Sequence, residues 1–181
     1  MSRALLLIDL QGDYFPGGAH PLAGAEQAAR QARRLLEHFR AVGGPVVHLR
    51  HVWDAPDATF MRPGTEGVEI HPLVEPSEDE PVLTKSEANG FVGTELESTL
   101  RDQGVDDLVV AGMMSNMCVD STVRTAADLG FTVTLAHDSC AAAELSFGAA
   151  TLPAATVHAA FMAALEDGFA TVVATDSVLE D

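Results

Sequence analysis

Hydrophobic residues in this chain follow two alternating patterns. Short, almost continuous apolar runs occur at Arg3–Leu10 (RALLLIDL), Pro45–Arg50 (PVVHLR), Pro81–Lys85 (PVLTK), Asp107–Gly112 (DLVVAG), Phe131–Ala136 (FTVTLA) and Ala170–Ala174 (ATVVA). Unbroken runs of this length suit parallel strands covered on both faces. Between them, Ala23–Val42, Thr94–Gln103, Cys118–Leu129 and Pro153–Asp167 read as helices. Gly43–Gly44, Gly104, Gly130 and Gly168 supply helix stops. Thr94, with Glu97 three residues later, predicts an N-cap, and Pro153 suits a first helical position.

Strand and helix alternation predicts a three-layer α/β/α domain. Its sheet is expected to be six-stranded, mostly parallel and Rossmann-like, in the order 3-2-1-4-5-6. A chain of 181 residues is expected to form one domain, 1–181, with a core that needs no disulfide or structural metal. MSRALLLIDLQGD runs straight from a short apolar stretch into charge, so it reads as a buried first strand rather than a leader. The long irregular stretch is Val52–Glu80, which holds the single tryptophan, Trp53. A loop of that length is expected to serve function or assembly.

Charge narrows the partners. Ten Lys and Arg against 27 Asp and Glu give a formal net charge of −17. That balance repels nucleic acid and anionic membranes, and by itself names no function. No apolar run is long enough to span a bilayer. Two cysteines make no disulfide framework, which points to a reducing, cytoplasmic setting. HExxH, CxxC, a phosphate-binding glycine loop and GxSxG are all absent, so no metal or other cofactor is expected.

Chemistry is expected at the carboxyl ends of the strands, where open α/β sheets bind ligands. The first strand ends in Asp9, with Gln11 and Asp13 following; the third ends in Lys85; the fourth runs into Cys118. Singly, each has an ordinary reading: Cys118 as packing, Asp9 as a turn residue, Lys85 as a solvated charge. At one rim they compose an acyl-transfer site. A helix N-terminus and Lys85 would lower the Cys118 thiol pKa, and Asp9 would serve as general base and acid. Cys140 reads as filler or a loop thiol. His48 and His51, three apart on a strand, face opposite ways and do not share a metal.

The segments LLLIDLQGDYF, LTKSEANGFVGTEL and GMMSNMCVDSTVRTAADLG resemble the isochorismatase-like cysteine hydrolase superfamily over about Ala4–Ala174. This resemblance implies a triad of Asp9, Lys85 and Cys118. It also implies a cis peptide between Met113 and Met114, placing the N–H groups of Met114 and Cys118 as oxyanion donors. Retention of the cysteine favours the amidase branch: a small amide or carbamoyl substrate cleaved through a thioester. Nicotinamidases of this superfamily carry an Asp-x-His metal motif after the second strand. Here His51 and Trp53 stand at those positions, so the metal site looks dismantled. His71 does not restore it. Tyr14, Trp53 and Phe60 are expected to wall the substrate pocket, with Gln11 orienting the triad. Relatives are commonly dimers or tetramers, so a homo-oligomer is expected. Two other readings stand beside this one: an isochorismatase-type ether hydrolase using only Asp9 and Lys85, and a non-catalytic binding subunit on the same fold.

Overall fold

A computed structural model describes residues 2–180. Six strands form one parallel sheet: β1 (Ser2–Ile8), β2 (Val46–His51), β3 (Val82–Lys85), β4 (Val105–Met113), β5 (Thr132–Ala141) and, after two further strands, β8 (Thr171–Val173). Their spatial order is β3-β2-β1-β4-β5-β8. Since β8 is the sixth strand to join this sheet, the expected 3-2-1-4-5-6 topology holds. The two intervening strands, β6 (Leu145–Phe147) and β7 (Ala150–Leu152), form a separate antiparallel hairpin.

The central strand shows why the hydrophobic runs are continuous. Leu5 and Leu7 of β1 pack into one core with helix α1 (Ala25–Val42), while Ala4, Leu6 and Ile8 pack into a second core on the opposite face. All five are essentially inaccessible to solvent. Each buried leucine or isoleucine contributes about 1.5–3 kcal/mol relative to exposure. Helix α1 turns a stripe of Ala25, Ala28, Ala29, Ala32, Leu35, Leu36 and Phe39 inward and ends at Gly43, whose φ of 68° closes the last turn. The second face is covered by α2 (Leu96–Asp102), α3 (Asp120–Asp128) and α4 (Ala154–Glu166), and a short α5 (Thr175–Leu179) packs beside α1.

Several local expectations change. Glu95, not Thr94, is the residue preceding α2; the Thr94 hydroxyl accepts from Leu96 N–H and donates to the Gly90 carbonyl. Pro153 caps α4 from just outside its first turn. Strand β5 runs on to Ala141, past a register shift against β4, so Cys140 lies in the sheet opposite Gly112 rather than in a loop. The Val52–Glu80 stretch is ordered by two 3₁₀ turns, Glu66–Val68 and Pro72–Val74, and by a bridge between Ile70 and Gln11. No helix among the described residues is long and apolar enough to cross a membrane.

Candidate active site

Strand order reverses between β1 and β4, and the three residues singled out by sequence converge beside that point. Asp9 follows the last residue of β1 and adopts φ 50°, an uncommon conformation for a residue with a side chain. Its N–H donates to Leu49 O of β2, and its carbonyl accepts from Gln11 N–H, so the chain turns sharply as it leaves the sheet. Gly112 of β4 makes room next door. Its φ is 143°, and an added Cβ would collide with the Ile8 backbone.

Lys85 closes β3 and reaches past the end of β2, placing Nζ 2.7 Å from Asp9 Oδ2. Nζ also donates to the Glu87 carbonyl at 3.0 Å and lies 3.2 Å from His51 Nδ1. Both charged side chains have 0% exposure. Burial works against the lysine charge, but Asp9 and the neighbouring Cys118 outweigh it and raise its pKa. His51 goes the other way: burial, then Lys85, lower its pKa, so its ring is neutral and accepts from the ammonium.

Cys118 is buried beside these groups. Its Sγ, a carboxylate oxygen of Asp9 and a ring nitrogen of His51 lie within 4.8 Å of one another. Such a trio of donors has metal-ligand chemistry. The Lys85 ammonium, however, already engages Asp9 and His51, and its charge opposes a cation at that position. The residues present therefore do not fit a bound metal.

Cys118 lies in a π-helical turn, Ser115–Val119, that runs directly into α3 at Asp120, so it stands in the first turn of one helical stretch. One expectation for Cys118 is corrected. Its thiol is pushed up to about 12, first by burial and then by Asp9, with Lys85 pulling in the opposite direction. Burial and the Asp9 charge thus oppose ionisation of the sulfur in the resting site. The Met113–Met114 peptide is cis. Met114 O accepts from both Met117 N–H and Val119 N–H, which ties the turn together. Ser115 Oγ is 2.8 Å from His158 Nδ1, linking this turn to α4.

A cavity of about 510 Å³ opens over Cys118 and Met114. Tyr14, Trp53, Phe60 and His20 form its aromatic side, with His20 stacked on Phe60 at 4.8 Å and Trp53 edge-on to Phe60 at 5.4 Å. The Val52–Glu80 stretch carries two of these rings. It is pinned by Trp53 N–H on Met61 O and by Met61 N–H on the buried Asp13 carboxylate. Gln11 does not line the cavity. Its amide donates to the His51 and Val68 carbonyls and accepts from His51 N–H, so it holds β2's end and the long loop in place.

The other singled-out residues stay outside. Cys140 is buried with a thiol also pushed up to about 12 by burial, and its S–H donates to Ala136 O. His48 faces away from the site, with Nε2 3.0 Å from Glu80, and His71 stacks on Phe15. Sequence reasoning missed His20 as a wall residue, and Glu87 and Glu144 at the cavity. His51 was noticed only as a metal-ligand question; its place at the end of β2, on the rim already carrying Asp9 and Lys85, was the available signal.

This arrangement has relatives. Residues 3–177 match the isochorismatase domain, and the chain belongs to that family of hydrolases. It is 47% identical over 180 residues to YddQ, an uncharacterised isochorismatase family protein of Bacillus subtilis, covering 99% of this chain and 100% of that one. A crystal structure from Oleispira antarctica, assigned to the isochorismatase hydrolases, superposes with a TM-score of 0.96 at 45% identity, covering 99% and 97% of the two chains. Streptothricin hydrolase of Streptomyces noursei is 41% identical over 137 residues, 76% of this chain and 53% of its own length. Amidases occur further out. Nicotinamidase of Escherichia coli is 28% identical over 176 residues, 76% of this chain and 82% of its own. N-carbamoylsarcosine amidase of Thermoplasma acidophilum has a TM-score of 0.84 at 25% identity, covering 97% and 98%.

Proposed function

We propose that the protein is a cysteine-dependent amidohydrolase acting on a small amide or carbamoyl compound. The observation that carries this reading is the meeting of Cys118 Sγ, the Asp9 carboxylate and the Lys85 ammonium at the floor of a cavity. Amidases among the relatives support the reaction class.

The site performs the reaction as follows. Cys118 S–H passes its proton to Asp9 as the sulfur bonds to the substrate carbonyl carbon. A thiol with its pKa near 12 is a poor nucleophile alone, so this transfer is coupled to attack. Lys85 keeps Asp9 in place and offsets the charge developing beside it. N–H groups of Met114 and Cys118 hold the oxyanion. Collapse breaks the C–N bond as Asp9 returns the proton to the leaving amine, leaving a thioester on Cys118. Asp9 then takes a proton from water, the resulting hydroxide attacks the thioester, and the carboxylic acid leaves as the thiol is restored.

The test is ammonia release from a panel of small primary amides and carbamoyl compounds by the purified protein, beside Cys118→Ala. Turnover present in the wild type and absent in a folded variant is expected. Equal turnover in both would overturn the mechanism.

A homo-oligomer belongs to the same proposal. Phe147 is 84% exposed on the β6–β7 hairpin, with Leu145 and Leu152 beside it, and Met117 is 47% exposed near the cavity. A second copy is expected to cover these apolar groups. Light scattering giving a monomer mass would remove this element.

A further inference from the structure

The cavity over Cys118 has a definite charge character. Among the described residues that line it, none is Lys or Arg, whereas two are glutamates, Glu87 and Glu144. The one ammonium nearby, Lys85, is neutralised by Asp9 at 2.7 Å. His51, held neutral by burial and by Lys85, adds no positive charge. Glu87 is fixed at the rim of the site, where its backbone carbonyl accepts from Lys85 Nζ at 3.0 Å. Neither Glu87 nor Glu144 has a side-chain ion pair or hydrogen bond that would engage its charge, and both residues are exposed. At the chain level, a net charge of −17 adds a long-range field of the same sign.

The aromatic side completes the description. Trp53, Phe60 and Tyr14 line the cavity, with His20 stacked on one face of Phe60, and aromatic rings attract cations through the negative quadrupole charge of their faces. Such walls also accept neutral flat groups. A carboxylate placed there would lose water, meet two glutamates and find no Lys or Arg in the lining.

We infer that the cavity takes an amide whose non-reacting end is a cation, an ammonium or ring-ammonium group seated among Trp53, Phe60 and Tyr14 with Glu87 and Glu144 as counter-charges, and that it rejects carboxylates. This inference rests on the amidohydrolase reading for the word amide. The charge selectivity of the cavity stands apart from turnover and is measured apart from it.

Three probes of one skeleton separate the possibilities: 3-(trimethylammonio)benzamide, its uncharged isostere 3-tert-butylbenzamide, and 3-carboxybenzamide. Their dissociation constants are read on folded Cys118→Ala, which cannot turn over, through the fluorescence of Trp53, the single tryptophan. The cation is expected to bind about 10-fold tighter than the isostere, in line with a cation against aromatic faces and facing carboxylates. The carboxylate is expected to bind weakest. Added Glu87→Gln and Glu144→Gln should reduce the cation's advantage several-fold and relieve the penalty on the carboxylate. A cation that binds no better than its isostere, or fails to bind up to millimolar concentration, overturns the inference. So does an advantage unchanged in the double glutamine variant. Ammonia release by the wild type from the same three amides reports on the reaction: charge selectivity in binding with no turnover of any amide would sink the amidohydrolase reading and leave the cation site standing.

Discussion

Lys85, at the end of edge strand β3, passes over the end of β2 to meet Asp9, at the end of central strand β1, with 2.7 Å between Nζ and Oδ2. Two strands that are not neighbours are thus joined by a fully buried ion pair. Buried pairs are costly to half-remove, because the partner left behind has neither water nor a counter-charge.

Lys85→Met is therefore expected to lower unfolding free energy by about 3–5 kcal/mol, read from urea denaturation. Since Lys85 is the group that pulls the Cys118 pKa down, the thiol should also become harder to ionise. Alkylation by iodoacetamide at a fixed alkaline pH would slow. Unchanged stability together with unchanged alkylation would show that Lys85 plays neither part.

Asp9→Asn acts in the opposite sense on the thiol. The Asp9 charge raises the Cys118 pKa, and an asparagine carbonyl still accepts from Lys85. Alkylation of Cys118 at pH 8 is expected to speed up about 10-fold, reflecting loss of a nearby negative charge. Amide turnover should fall about 10²–10⁴-fold, because the base that moves the proton is gone. A variant that alkylates faster and also keeps its turnover would remove Asp9 from the mechanism.

Gly112→Ala tests the close approach of β4 to β1. The position combines φ 143° with backbone contact against Ile8, so a methyl group has no place to go. A loss of about 3 kcal/mol or more is expected from unfavourable backbone and overlap together, together with slowed turnover because Asp9 follows Ile8 directly. A Tm within a degree or two of wild type would contradict this account.

Glu80 sets a pH dependence away from the site. Burial would raise its pKa, but hydrogen bonds from Arg40, Ser77 N–H and His48 bring it down to about 2. A carboxylate depressed in the folded state stabilises above its unfolded value and loses that contribution as pH falls through the folded one. Glu80→Gln should cost about 1–2 kcal/mol at pH 7, with the gap to wild type closing between pH 4.5 and 2. A gap independent of pH over that window would assign the effect to packing instead.

Much of this is legible in the amino-acid sequence. Continuous apolar runs mark where the sheet strands lie because residues buried on both faces are mostly apolar, and β1 is the clearest instance. Asp9, Lys85 and Cys118 were legible as strand-end residues, and the Met113–Met114 turn through its resemblance. The β6–β7 hairpin was not, since three-residue strands exposed on every residue leave no burial pattern. Thr94 stands one residue ahead of the cap position; its hydroxyl still accepts from Leu96 N–H at the start of α2 while donating to the Gly90 carbonyl.

Sequence alone thus determined the α/β/α layering and the three residues at the rim, because these follow from local periodicity and from where each strand stops, whereas the strand order is set by pairing across the sheet. Tertiary structure decided the state of the sulfur and the character of the cavity. Burial and the proximity of Asp9 push the Cys118 thiol up, against what a cysteine beside a lysine and a helix suggests. Likewise Glu87 and Glu144 come from different segments, and only their convergence gives the cavity its acidic lining. Desolvation and through-space charge depend on distances across the fold, and no spacing along the chain encodes them.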